Sequence, residues 1–111
     1  MKLPSADQAI VDITKLRDYS LNPHHPRGKH KARVFAATLG FTAEDAETLR
    51  RVVLEAAHVN EATQGVKDEH GERFILDVET QGLFAKVTIR TAWIVDTGES
   101  APRMVSCYVR N

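Results

Sequence analysis

The chain has 111 residues, 42% of them apolar and 27% charged, as expected for one globular domain, 1–111, with a single core. Its 15 acidic and 15 basic residues cancel, which argues against a globally basic nucleic-acid-binding protein. One cysteine excludes an internal disulfide, and no segment resembles a membrane span or a signal peptide, so a cytoplasmic location is expected.

Three helices are predicted in the first half of the chain, after a lead of residues 1–11 that is either loose or extended near its end. The first helix spans about 12–21 and ends before the prolines of the next loop. The second spans about 28–39 and stops at a glycine. The third starts at Thr42–Asp45, which resembles a capping box, and its long apolar stripe predicts burial against a sheet.

From about residue 62 the apolar period changes from helical to alternating, which predicts strands. The expected strands span about 62–67, 73–79, 86–95 and 104–109, and 86–95 has the strongest pattern because it is rich in β-branched and aromatic residues. The sequence therefore predicts an α+β fold, with about three N-terminal helices packed on one face of a three- to four-stranded antiparallel meander.

Alternate residues of the predicted strand 86–95 point to opposite faces. One face is largely apolar, and the other carries Lys86, Thr88 and Arg90. In the last strand the apolar phase is predicted to contain Val105, Cys107 and Val109, and the opposite phase Met104, Ser106 and Tyr108. Arg73 and Asp77 of the preceding strand are expected on the polar face. Cations and hydroxyls on one rigid sheet can hold a phosphate, although a solvated sheet face explains the pattern equally well.

A second polar group is the segment His24–Arg33, which contains three histidines and four cationic side chains. Backbone N–H groups after Gly28 could bind an anion, and His25 or His30 could exchange protons near neutral pH. A basic surface loop is the alternative interpretation. The histidine spacing matches no known zinc site, so no metal and no cofactor are expected, and Cys107 is expected to be a buried apolar residue.

Two motifs resemble a small, poorly characterised bacterial domain family found as stand-alone proteins and at the C-termini of polymorphic toxins. The matching segments are NPHHPRGKHKARVF with LGF, and IRTAWIV with PRMVSCYV. They fit the family pattern NPxHPxGxxKAxxF, LGF, RTxWI and PRxVxxY over about residues 15–110. By analogy of fold, helices before an antiparallel sheet also resemble the barnase and RelE-type small ribonucleases, which handle phosphate on the open sheet face.

The resemblance implies a toxin-type endoribonuclease that acts without metal, leaves a 2′,3′-cyclic phosphate and is paired with a small antitoxin or immunity protein. The candidate catalytic residues are His25 (base or acid), Lys31 and Arg90 (phosphate), and Ser106 and Tyr108 (donors to the phosphate or leaving group). The candidate substrate-binding residues are Arg27, Lys29, His30, Lys86 and Thr88. The alternative is a non-catalytic domain that docks an acidic protein or a nucleic acid through the same basic face.

Overall fold

The structure, a computed structural model, describes residues 1–110, and in this part of the chain the helices precede the strands. Helix α1 begins as an α-helical turn, Ile13–Lys15, and continues as a π-helical segment, Leu16–Ser20. The Asp12 carboxylate caps its start by accepting the Thr14 backbone N–H at 3.0 Å. None of the helices of residues 1–110 is both long and apolar enough to cross a membrane.

Helices α2 and α3 follow as predicted. Helix α2 spans Lys29–Leu39 and ends at Gly40, whose φ of 71° suits the left-handed stop. Helix α3 spans Ala46–Val59 after a 3-10 turn, Ala43–Asp45. The predicted capping box is present, and in it the Asp45 carboxylate accepts the Thr42 backbone N–H at 2.8 Å.

Four strands form one antiparallel sheet in the order β1-β2-β3-β4, which confirms the predicted α+β fold. The strands are β1 (Ala62–Asp68), β2 (Gly71–Gln81), β3 (Lys86–Asp96) and β4 (Arg103–Arg110). Strands β2 and β3 pair without interruption from Gly71–Asp96 to Gln81–Lys86. The central pair is therefore a continuous platform.

One face of this sheet carries the core. Its buried side chains on β2, β3 and β4 are Phe74, Leu76, Val78, Ile89, Thr91, Trp93, Met104, Cys107 and Val109. Helix α3 contributes the predicted stripe, in which Ala46, Leu49, Val53, Ala56 and Ala57 are buried. The side chains in the other phase point to the opposite face, called here the open face.

The last strand departs from the predicted alternation at its start. The β3–β4 register shifts between Ala92 and Trp93, so that Trp93 pairs with Met104 while Ala92 pairs with Ser106. The extra residue is Val105, which is 45% exposed, and Met104 is buried in the core instead. The predicted phase was therefore wrong for these two residues, because a bulge shifts the strand by one residue.

The first eleven residues are attached to both edges of the sheet. Lys2 forms an antiparallel bridge with Glu61 just before β1, and Ile10 forms a parallel bridge with Arg103 of β4. Leu3 and Val11 are buried in the core. Burial of these apolar side chains thus holds the segment in place, whereas the sequence alone was also compatible with a loose segment.

Candidate functional site

The loop before α2 is organised around the imidazole of His25. Its Nδ1 accepts two backbone N–H groups, from Arg27 and Gly28, each at 3.0 Å. Because a nitrogen that accepts hydrogen bonds carries no proton, the neutral ring has its proton on Nε2. His25 therefore presents a donor rather than a free lone pair to its surroundings.

Gly28 allows this loop to lie directly on α1. A Cβ atom at Gly28 would overlap the carbonyl oxygen of Tyr19, so only glycine fits here. The close approach brings the rings of Tyr19 and His25 into edge contact, with centroids 4.6 Å apart at 68°. The loop and the π-helical segment of α1 thus form one unit.

Lys31 links this unit to the sheet. Its ammonium lies 4.9 Å from the centre of the Tyr19 ring and 5.5 Å from the centre of the Tyr108 ring. Both distances are within the range of cation–π attraction. The basic segment before the sheet and the open face thus meet at one side chain.

Tyr108 in turn pairs with Arg90 across the β3–β4 ladder, and Arg90 pairs with Asp77 of β2. The Arg90 guanidinium donates to both Asp77 carboxylate oxygens, at 2.9 and 3.1 Å, and Arg110 approaches the same carboxylate at 3.5 Å. The hydrogen bonds from Arg90 lower the pKa of Asp77, and the carboxylate raises the pKa of Arg90. Arg90 is thus a permanent cation held in a fixed orientation.

Ser106 and His25 line the same cavity, of about 430 Å³, between α1 and the edge of β4. Lys15, Asp18 and Tyr19 contribute to its wall. Arg90 lines a different cavity, with Asp77 and Thr63. The structure therefore groups His25, Ser106 and Lys31 on one side of Tyr108, and Arg90 with its aspartate on the other side.

The predicted substrate-binding residues fall into two groups. Arg27, Lys29 and His30 are exposed on the loop and on the first turn of α2. Lys86 and Thr88 are at the other end of the open face, where Lys86 lies 3.4 Å from Glu79 and Thr88 pairs with Arg110. Lys31 and Tyr108 occupy the region between these groups.

Sequence reasoning did not include Tyr19 among the candidate residues. Its ring contacts both His25 and Lys31. The position of Tyr19 just before the NPHHPRG loop could have indicated that its ring contacts the loop. The bidentate pairing of Arg90 with Asp77 was not foreseen either, although both residues were expected on the same face.

Other reactive groups contribute little to this site. Cys107 is fully buried, as expected, and burial raises the pKa of its thiol to about 12. Within residues 1–110, no group of three or more His, Cys, Asp or Glu side chains is arranged to hold a metal ion. Lys31 and Arg90 place two cations beside Tyr108, which suit an anionic ligand, and the Asp77 carboxylate offsets part of the charge of Arg90.

Comparison with known proteins gives one family and one solved structure. A search of curated proteins found no match to the chain. In the solved structures, the chain resembles one from a contact-dependent growth inhibition toxin–immunity protein complex of Klebsiella pneumoniae 342. That similarity has a TM-score of 0.61 at 14% identity and covers 96% of this chain and 97% of the other. Residues 2–111 match a family model, and the chain therefore belongs to the domain of unknown function family DUF6883.

Proposed function

We propose that the protein is a toxin-type endoribonuclease that cleaves RNA in the cytoplasm without a metal ion. The observation that carries the proposal is the contact of the Lys31 ammonium with the Tyr108 ring, 5.5 Å from its centre. Through this contact a cation from the helical layer joins Arg90 and Tyr108 on the open face. The fold shared with a chain of a toxin–immunity complex adds support.

The proposed chemistry is an internal transesterification of the RNA backbone. The ribose 2′-oxygen bonds to phosphorus as the bond to the 5′-oxygen breaks, leaving a 2′,3′-cyclic phosphate and a 5′-hydroxyl. Lys31 and Arg90 stabilise the negative charge that develops on the phosphoryl oxygens. The 2′-hydroxyl proton passes to solvent, and Tyr108 gives a proton to the 5′-oxygen and regains it from water.

His25 and Ser106 have supporting roles in this proposal. The Nδ1 atom of His25 is occupied by two backbone N–H groups, so the ring acts as a donor through Nε2–H rather than as a base. Ser106 lines the same cavity and offers a hydroxyl. Both groups suit a non-bridging phosphate oxygen or a ribose hydroxyl next to the cleaved bond.

A toxic ribonuclease needs an inhibitor in the cell that makes it. We expect a small immunity or antitoxin protein with an acidic surface, because the exposed Arg27 and Lys29, next to His30, offer it a cationic surface. The same three residues would attract the phosphates of RNA before cleavage. Inhibitor and substrate would therefore compete for one surface.

A second candidate is a non-catalytic domain that docks a protein partner or a nucleic acid. It is favoured by the ion pairs of Arg73 with Asp68, Arg90 with Asp77, and Arg103 with Asp96. These pairs reduce the positive charge of the open face, and such a polar surface suits the rim of a protein interface. This candidate predicts binding without RNA cleavage.

The test is incubation of the purified chain with single-stranded RNA in excess chelator, followed by analysis of the fragment ends. We expect 2′,3′-cyclic phosphate ends and no cleavage where the ribose is 2′-deoxy. Lys31→Met keeps the apolar stem against the rings and should slow cleavage about a hundredfold. The control Lys67→Met, on β1, should cleave like the wild type.

Expression in a bacterial host gives a second readout, because an active toxin should arrest growth and Lys31→Met should relieve the arrest. Intact RNA after prolonged incubation with the wild-type chain would overturn the proposal. Equal rates for Lys31→Met and the wild type would show that the cation at Tyr108 has no catalytic part.

A further inference from the structure

The hairpin between β2 and β3 displays an aromatic ring to solvent. Phe84 is 89% exposed, more than any other large apolar side chain of residues 1–110. The hairpin that carries it is short, and its backbone is hydrogen-bonded from Gly82 to the Ala85 carbonyl at 2.8 Å. The ring is therefore held out from the surface by an ordered turn.

The hairpin is also fastened to the helical layer. The Leu83 backbone N–H donates to the Thr38 carbonyl of α2 at 2.8 Å. A Cβ atom at Gly82 would lie 2.6 Å from both the Thr38 oxygen and a Val87 methyl carbon, so the two backbones meet with no room to spare. Phe84 is thus presented from a fixed position, which lowers the entropy lost when a ligand binds.

Cationic and hydroxyl groups surround the same position. Phe84, Lys86, Thr88 and Arg110 line one cavity of about 310 Å³. The ion pairs that hold the two cations, Lys86 with Glu79 and Arg110 with Asp77, measure 3.4 and 3.5 Å and lie near the surface. Exposed pairs of this kind contribute little free energy, so both cations can turn to an anionic ligand.

This cavity leads directly to the proposed catalytic cluster. Thr88 pairs with Arg110, and the next pair in the same phase is Arg90 with Tyr108. Two residues along a strand advance about 7 Å. A chain of nucleotides whose cleaved phosphate lies at Tyr108 would therefore continue over Thr88 and Arg110 toward Phe84.

We infer that Phe84 is a stacking platform for an unpaired base of single-stranded RNA, with Lys86 and Arg110 holding the neighbouring phosphates. Aromatic rings bind unpaired bases of any identity through their faces, so the platform provides affinity with little sequence preference. This inference rests on the proposed ribonuclease function but concerns binding of the flanking nucleotides. A structured double helix would not fit, because its bases are already stacked.

The test measures binding of a fluorescent single-stranded RNA whose riboses are all 2′-O-methylated, so that it cannot be cleaved. Phe84→Ala should weaken binding roughly five- to a hundredfold, the range for one stacked base. Phe84→Leu keeps an apolar side chain and should be almost as weak as alanine. Phe84→Trp should bind at least as well as the wild type, and its exposed indole should lose fluorescence on binding.

The matched control is Leu83→Ala, because Leu83 is 58% exposed on the same hairpin but is not aromatic. It should bind the oligonucleotide like the wild type. Equal binding by the wild type, Phe84→Ala and Phe84→Leu would overturn the inference. Contact with a protein partner would then be the alternative role for the exposed ring. Absence of binding by the wild-type chain would overturn it as well.

Failure of the ribonuclease proposal would look different. In that case unmethylated RNA stays intact with the wild-type chain, while the methylated oligonucleotide still binds in a Phe84-dependent way. The converse result is that the wild-type chain cleaves RNA while the Phe84 variants bind the methylated oligonucleotide as tightly as the wild type does. That result would support the ribonuclease proposal and contradict the stacking role of Phe84.

Discussion

The indole N–H of Trp93 donates a hydrogen bond to the hydroxyl of Thr91 at 2.8 Å, and this hydroxyl donates to the Leu76 carbonyl at 2.6 Å. Both side chains are buried, on the core face of β3. The hydroxyl therefore accepts from one buried group and donates to another, and it gives the buried indole N–H its acceptor. This explains in physical terms why a threonine stands two residues before the tryptophan in a core strand.

Thr91→Val should destabilise the fold by about 1–3 kcal/mol, because the valine has the same shape but leaves the buried indole N–H of Trp93 without an acceptor. Urea unfolding gives the free energy. Thr91→Ser keeps the hydroxyl and should retain more of the stability than valine does. Thr63→Val, on the exposed face of β1, serves as the control and should change stability by less than about 0.5 kcal/mol.

Gly28→Ala should destabilise the fold by about 1–3 kcal/mol and reduce the proposed RNA cleavage, because the new methyl group would push the loop away from the Tyr19 carbonyl. Thermal unfolding and single-turnover cleavage measure the two effects. Gly65→Ala is the matched control, since a Cβ atom there meets nothing closer than 3.4 Å. Equal melting temperatures for Gly28→Ala and the wild type would contradict the close contact.

His25→Asn should separate the structural role of this ring from its proposed role in RNA cleavage. The asparagine side-chain oxygen can accept the Arg27 and Gly28 N–H groups in place of Nδ1, so stability should change by less than about 1 kcal/mol. The Nε2–H donor is lost, and cleavage should fall at least tenfold. His25→Ala should lose stability as well as activity, and an alanine variant with full stability would argue against the loop contacts.

Asp77 should make the stability of the protein depend on acidic pH. Arg90 lowers the pKa of this carboxyl in the folded chain, so the folded state binds its proton less readily than the unfolded state does. The contribution is complete above the ordinary aspartate pKa of about 3.9 and is lost as the pH falls from there through the lower folded pKa. Asp77→Asn should therefore cost about 1 kcal/mol or less at neutral pH and nothing at lower pH.

Urea unfolding of both chains from neutral pH down to about pH 2 tests this dependence, and the two stability curves should converge on the acid side of about pH 3.9. Asp7→Asn, at an exposed position, gives the baseline for charge removal. A gap between the Asp77→Asn and wild-type curves that stays constant with pH would contradict the assignment.

Much of the fold could be predicted from the sequence because the helix caps, the glycine stop and the strand periodicity all indicated the same elements. The glycine after α2, the Thr42–Asp45 cap and the alternation in β2 and β3 each act within a few residues, and the corresponding elements lie as predicted. Met104 and Val105 were misplaced because a bulge depends on the partner strand, which has no local signal.

The candidate site was harder to predict from the sequence, because it too depends on contacts between elements that are far apart in the chain. Lys31, Tyr19 and Tyr108 come from three elements, and their contact depends on how closely α2 approaches the edge of β4. The sequence suggested Lys31 and Tyr108 as candidate catalytic residues, but it did not predict that the Lys31 ammonium would lie near two tyrosine rings. The sequence also could not show that the Nδ1 atom of His25 accepts hydrogen bonds from two backbone N–H groups of its own loop.

The π-helical segment Leu16–Ser20 sets the direction in which the Tyr19 phenol points. It closes with a hydrogen bond from the Leu21 N–H to the Leu16 carbonyl at 2.8 Å, five residues back, so it contains one residue more than an ordinary helical turn. Each residue of an α-helix rotates the chain by about 100°, and removing one here would restore regular winding while swinging the Tyr19 phenol round the helix axis by that angle. Homologues shortened by one position in this stretch should therefore also have lost the lysine or the histidine that the phenol now contacts.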